Sequence, residues 1–272
     1  MVPRLYQISE DVHRRYDSGS HTPCGAHLRL CSALVFGLGR LILVGVLTAS
    51  PSIAFAEKSS NPSPVKQVAV PILGTTLNQD WEQVGIVVEV DIQFERRMDQ
   101  QGLQVYFQTK PGRFSPVAQR AVTQAIHRAA EVGRLSTESW AITLTLPYPG
   151  ITMYGESLSA MVGLSVLALA RGDPLPPDRV LTGTIMPDGH IGIVGGVPLK
   201  ILAAHKKHLR RVLIPEEQDV ADGDWQTPFL MQVSPVGNVR KAYQGLTDCS
   251  LEMSCRQPLA SVLSSINGST SP

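Results

Sequence analysis

Between Ser157 and Gly172 the chain reads SLSAMVGLSVLALARG, a run of small and apolar residues without a polar face. It is too long for an ordinary strand and too uniformly apolar to lie on a surface. It therefore predicts a helix covered on all sides at the centre of the domain and ended by Gly172. The rest of the chain must be layered around that helix.

Val68 to Leu73, Val84 to Phe94 and Leu103 to Thr109 read as strands separated by turn residues, and predict an antiparallel opening sheet. Ser115-Pro116 places a cap residue and a first-turn proline before apolar residues at helical spacing, so a helix is expected from there to Gly133. Trp140 to Leu146 alternates as a strand and stops at Pro147-Tyr148-Pro149-Gly150. Val180 to Ile185 and His190 to Val194 predict a hairpin around Asp188-Gly189. A helix opened by Pro198 and running to His205–His208, a buried strand over Arg211 to Ile214, a strand near Phe229 to Val233 and a helix from Asn238 to Tyr243 complete the pattern. Mixed strands and helices around one main core predict an α+β domain.

The 272 residues are 43% hydrophobic and 17% charged with a formal charge of +1, a globular balance without the basic excess that nucleic acid demands. Residues 1–56 differ from the rest. A basic segment, apolar runs in Leu30 to Leu38 and Leu41 to Leu47, and the small-residue end Ala54-Phe55-Ala56 read as a signal peptide cut before Glu57. An uncleaved anchor is the alternative, although Arg40 interrupts the apolar stretch and Leu41 to Leu47 is too short to span a bilayer. The expected location is periplasmic or secreted, or membrane-anchored facing away from the cytoplasm. Residues 57–66 read as a flexible tether and 67–272 as the folded domain. Cys249 and Cys255 fit one local disulfide in an oxidising compartment, with two free thiols as the alternative. With no histidine beside them they make a poor zinc site, and no metal or cofactor is expected.

A serine hydroxyl is a weak nucleophile until a base takes its proton, and a lysine serves as that base only where burial disfavours its ammonium. Ser157 opens the apolar helix, whose first N–H groups are free to stabilise an oxyanion. Lys200 lies among Val197, Pro198, Leu199, Ile201 and Leu202, and Thr182 and Thr184 are candidates to hold its neutral amine. Taken singly, Ser157 also fits a helix cap, Lys200 a surface lysine, and Ser159 is a second candidate nucleophile. His190, His205 and His208 read as solvated. No HExxH, P-loop or Gly-x-Ser-x-Gly pattern is present, so zinc-peptidase, nucleotide-hydrolase and α/β-hydrolase readings lack support.

Arg179 to Gly183 (RVLTG), Gly195-Gly196, Lys200 to His205 (KILAAH), Val212 to Pro215 (VLIP) and Pro235-Val236 resemble the proteolytic domain of Lon proteases, a Ser–Lys peptidase family. Counting back from Lys200 without a gap puts the family's serine at Ser157, and the resemblance covers roughly residues 84 to 245. It implies a single domain of the Lon proteolytic type, ribosomal protein S5 domain 2-like. It also implies Ser157 as nucleophile, Lys200 as general base, Thr182 orienting the lysine, and the N–H of Ser157 and its neighbours as oxyanion hole. The family's Asp-Gly-Pro-Ser-Ala-Gly is replaced by Tyr154-Gly155-Glu156-Ser157-Leu158-Ser159. Glu156 is thereby expected to pair with Lys200 and raise its pKa, and a catalytically inactive peptide-binding or scaffolding module is the alternative function. Lon proteins carry an ATP-driven unfoldase, and this sequence has no Walker motif. The expectation is a stand-alone, ATP-independent endopeptidase for unfolded or flexible polypeptide, without nucleic acid or ATP as partner. A homo-oligomer and a membrane tether through the leader are left open.

Overall fold

Two long strands, β1 (Lys66–Leu77) and β2 (Gln83–Arg96), pair antiparallel along the whole of β1, Lys66 opposite Phe94 and Leu77 opposite Gln83. The computed structural model describes residues 64–252 and Cys255; the leader and most of the expected tether lie outside the described residues. Among the described residues no helix is long and apolar enough to cross a membrane.

After β2 come β3 (Gln104–Phe107) and the short β4 (Arg113–Phe114). Helix α1 (Pro116–Val132) starts where expected: the Ser115 hydroxyl accepts from the Ala118 N–H at 3.2 Å, and Gly133 closes the helix. β5 (Trp140–Thr145) buries Trp140, Ile142 and Leu144 on one face, as its alternation requires. The short β6 (Thr152–Met153) then leads into α2 (Ser159–Arg171), and Gly172 in the left-handed region caps that helix.

The first sheet has the order β1-β2-β5-β3. Here the expectation of an antiparallel opening sheet needs correcting. β5 pairs antiparallel with β2, whereas β3 joins the far side of β5 in parallel. Alternation marks a strand and its two faces, but it carries no information on which neighbour the strand takes.

From Ser159 to Ala168 every residue of α2 is buried, so the helix is central as its composition demanded. It lies between α1 and the β1–β2 hairpin. The approach to α1 is close enough that a β-carbon at Gly163 would sit 2.9 Å from the Ala125 carbonyl oxygen. Val70, Ile72, Val90, Ile92, Leu164 and Leu167 belong to one cluster around it, each contributing about 1.5–3 kcal/mol by leaving water.

The chain continues through β7 (Arg179–Leu181), β8 (Thr184–Ile185) and β9 (Ile191–Gly192) to α3 (Val197–Lys206) and β10 (Arg211–Pro215). β11 (Gln232–Val236) and α4 (Val239–Thr247) close the domain, with Asn238 capping α4. β11, β10 and β7 make an all-parallel sheet in that order. A second core cluster joins Leu73 of β1, Val180, Val212 and Ile214 of this sheet, and Val197, Ile201 and Ala204 of α3.

Two further expectations change. The strand expected over Val180 to Ile185 divides at Thr182-Gly183, its first half pairing with β10 and its second with β9 in the expected hairpin. The strand expected near Phe229 starts at Gln232, because Met231 closes a turn back onto the Pro228 carbonyl and leaves Phe229 and Leu230 exposed. Pro235 is tolerated in β11 because that strand is an edge. Of the two alternatives for Cys249 and Cys255, the structure has the disulfide.

Candidate active site

The division of the 180–185 strand is what builds the site. Gly183 has φ 154, and a β-carbon there would lie 2.7 Å from Ile191 Cγ2, so the position requires glycine. With the chain bent there, the Gly183 N–H donates to the Ser157 carbonyl at 2.9 Å, and the Gly183 carbonyl accepts from the Ala160 N–H at 3.1 Å. Thr182 is anchored just before, its N–H donating to the Leu213 carbonyl at 3.1 Å. The serine turn is thus tied to the residue next to Thr182.

Ser157 lies in a turn closed by the Ser159 N–H donating to the Glu156 carbonyl at 2.9 Å. It does not cap α2, whose N-cap Leu158 makes no side-chain bond. Half-buried, its hydroxyl faces Gly155, where an added β-carbon would lie 3.8 Å from Oγ. Among the described residues the N–H groups of Ser157 and Leu158 donate to nothing. Two adjacent free amides beside a helix N-terminus are suited to an oxyanion. Ser159, the second candidate nucleophile, is the first residue of α2 and only 1% exposed.

Lys200 occupies the buried face of α3 with Val197, Ile201 and Ala204, at the one-turn spacing that lines up a helix face. It is 4% exposed, so the surface-lysine reading does not hold. Burial pushes its pKa from the usual 10.5 down to about 8, and the carboxylate of Asp222 acts in the opposite direction. Asp222 also caps the helix that carries the lysine, accepting from the Gly196 N–H at 2.8 Å and the Val197 N–H at 3.0 Å. Glu156, expected to pair with the lysine, is instead exposed, and among the described residues it forms no ion pair. The altered loop therefore does not raise the amine's pKa; the nearby carboxylate is Asp222, which spacing in the sequence does not link to Lys200.

Thr182 is fully buried, and among the described residues its Oγ1 has no hydrogen-bond partner. An unsatisfied buried hydroxyl costs about 1–3 kcal/mol and calls for an explanation. Thr182 follows β7, and Val180 of that strand packs against the buried face of α3 on which Lys200 sits. Among the described residues no hydrogen bond joins Ser157 Oγ, Lys200 Nζ and Thr182 Oγ1 to one another. Catalytic hydrogen bonds are often long before substrate binds and tighten in the Michaelis complex. Thr184 lies on β8, where its Oγ1 faces Met186 Sδ. His190, His205 and His208 are exposed, as expected.

Residues 116–239 match the family model of the Lon protease (S16) C-terminal proteolytic domain, a span that includes Ser157, Thr182, Lys200 and Asp222. The peroxisomal Lon protease homolog 2 of Caenorhabditis briggsae is 34% identical over 91 residues, 34% of this chain and 12% of that protein. The Lon protease of Clostridioides difficile is 34% identical over 76 residues, 28% of this chain and 10% of that protein. Lon protease 2 of Sorangium cellulosum is 39% identical over 70 residues, 26% of this chain and 9% of that protein. The matched part of the chain thus spans only a small fraction of the length of these relatives.

Proposed function

Over residues 116–239 this chain belongs to the Lon proteolytic-domain family, and from that premise we propose that it is a serine endopeptidase working through a Ser157–Lys200 dyad. The observation that carries the reading is a lysine 4% exposed on an apolar helix face, its amine brought down to about 8. A substantial fraction of such an amine is neutral at mildly alkaline pH and able to accept a proton.

The steps follow from the chemistry. As Ser157 Oγ attacks the peptide carbonyl carbon, its proton passes to the neutral amine of Lys200. The resulting oxyanion is met by the free N–H groups of Ser157 and Leu158. Collapse breaks the C–N bond, and the Lys200 ammonium returns the proton to the departing amine. Water then attacks the ester on Ser157, its proton passing to Lys200; collapse breaks the bond from the carbonyl carbon to Oγ, and Lys200 returns that proton to the departing serine oxygen as the acid product leaves. Thr182 Oγ1, buried and without a partner among the described residues, is the group proposed to take up a hydrogen bond with the amine once substrate is bound and so to fix its direction.

No step of this chemistry consumes a nucleotide, and the proposal is ATP-independent cleavage of unfolded or flexible polypeptide. The Cys249–Cys255 disulfide and the basic-apolar-small order of residues 1–56 support an exported location. The test is cleavage of casein by the full chain beside Ser157→Ala and Lys200→Ala, with folding checked by circular dichroism. Cleavage by the wild type alone is expected. Equal activity in all three refutes the dyad, and no activity in any supports the inactive peptide-binding module.

A further inference from the structure

Helix α1 presents Arg120, Gln124 and Arg128 at four-residue steps, hence on one face. With Glu156, Ser159 and Met186 they line a cavity of about 180 Å³ directly beside the serine turn. Arg128 is steadied by donating to the Ile185 carbonyl oxygen, while Arg120 is exposed. Among the described residues neither arginine pairs with a carboxylate, and Glu156 pairs with no cation. The Ser159 hydroxyl lines the same space from a residue 1% exposed and hydrogen-bonds to no described residue.

Two guanidinium groups, an amide and a hydroxyl are donors converging on one space, with a single acidic side chain among them. The guanidinium fork matches a planar carboxylate. The net charge of the lining suits one negative charge, and a doubly charged group would meet Glu156. The volume falls below the roughly 300–1,000 Å³ of a small-molecule pocket and suits a single side chain.

We propose that this cavity is the subsite that selects the substrate: it takes a carboxylate of the polypeptide held close to the bond cut at Ser157. The position of the cut rests on the dyad reading; the recognition of the carboxylate does not. An extended chain advances about 3.3–3.6 Å per residue, and Glu156 and Ser159 flank Ser157 in the turn, so the carboxylate lies within a few residues of the cleaved bond. Its source is an acidic side chain or the substrate's own C-terminus, and both present the same group.

The test uses four fluorescent peptides of one sequence, with Glu or Gln at a single internal position and a free or amidated C-terminus. Their binding to full-length Ser157→Ala is followed by anisotropy, and their cleavage by the wild type by chromatography. Binding about tenfold tighter for one carboxylate is expected, a preference abolished or reversed by Arg120→Glu and weakened, with its direction unchanged, by Arg120→Lys, which keeps the charge and loses the fork. A preference for internal Glu assigns the subsite to an acidic side chain, and one for the free end assigns it to the C-terminus. Equal binding of all four peptides, no binding of any, or a preference untouched by Arg120→Glu overturns the proposal. Preferential binding without cleavage leaves the subsite standing and sinks the dyad; cleavage with equal binding does the reverse.

Discussion

Replacing Lys200 by Met should make the protein more stable while abolishing the proposed activity. Met is close in length and apolar, so it fills the buried face of α3 without a charge to dehydrate. Lowering an amine from 10.5 to about 8 costs its charged form about 3 kcal/mol relative to the unfolded chain. Below pH 8 both folded and unfolded chains hold the proton and that cost is fully present. Between pH 8 and 10.5 the folded chain has released it while the unfolded chain has not, so stability rises with pH. Above 10.5 the cost has gone. Lys200→Met is therefore expected to gain about 3 kcal/mol at pH 7, about 6–12 °C in Tm, and to lose most of that advantage by pH 10.5. Urea unfolding of both proteins at pH 7, 9 and 10.5, with peptide cleavage measured in parallel, reads the difference. A variant no more stable at pH 7, or one whose difference ignores pH, means that the amine is well solvated, and the argument for a lysine base fails.

Other expectations follow from the same geometry. kcat/KM for a neutral peptide should rise about tenfold per pH unit below pH 8 and level off above it, since only the neutral amine accepts the serine proton; a flat profile between pH 6 and 9 contradicts this. Asp222→Asn removes the charge that favours the Lys200 ammonium and weakens the cap on α3, so the inflection of that profile should move to lower pH while unfolding costs about 1 kcal/mol less. Gly183→Ala forces a side chain into a φ of 154 and against Ile191, and should cost about 1–3 kcal/mol with loss of cleavage before loss of secondary structure by circular dichroism.

Much of this arrangement is written in local signals. Ser115-Pro116 and Gly133 bound α1 because capping is decided within a few residues, and the apolar run after Ser157 could be satisfied only at the centre of the fold. What escaped was decided by contacts distant in sequence. β3 pairs with a strand formed only after α1, and a continuous strand-like pattern from Val180 gives no sign that Gly183 turns the chain from one sheet to another. The cap from Asp222 reaches α3 from a single 3-10 turn, Val220–Asp222, beyond β10, and the arginine-lined cavity exists only because α1 packs beside the serine turn. The place of Glu156 beside Ser157 in the sequence makes it a candidate partner for the lysine. Its exposure removes it from that role and places it on the rim of the cavity instead.

The central claim is that the Ser157 hydroxyl reacts with carbonyl carbon when, and only when, the Lys200 amine can take its proton. A peptidyl β-lactone, which opens to leave an ester on the attacking oxygen, reports this by intact mass and peptide mapping. One adduct is expected, on Ser157, formed at a rate that climbs with an inflection near pH 8 to a plateau above it and is lost in Lys200→Met. An adduct on Ser159, labelling that survives the loss of the lysine, or a folded protein that takes no label at any pH would contradict it.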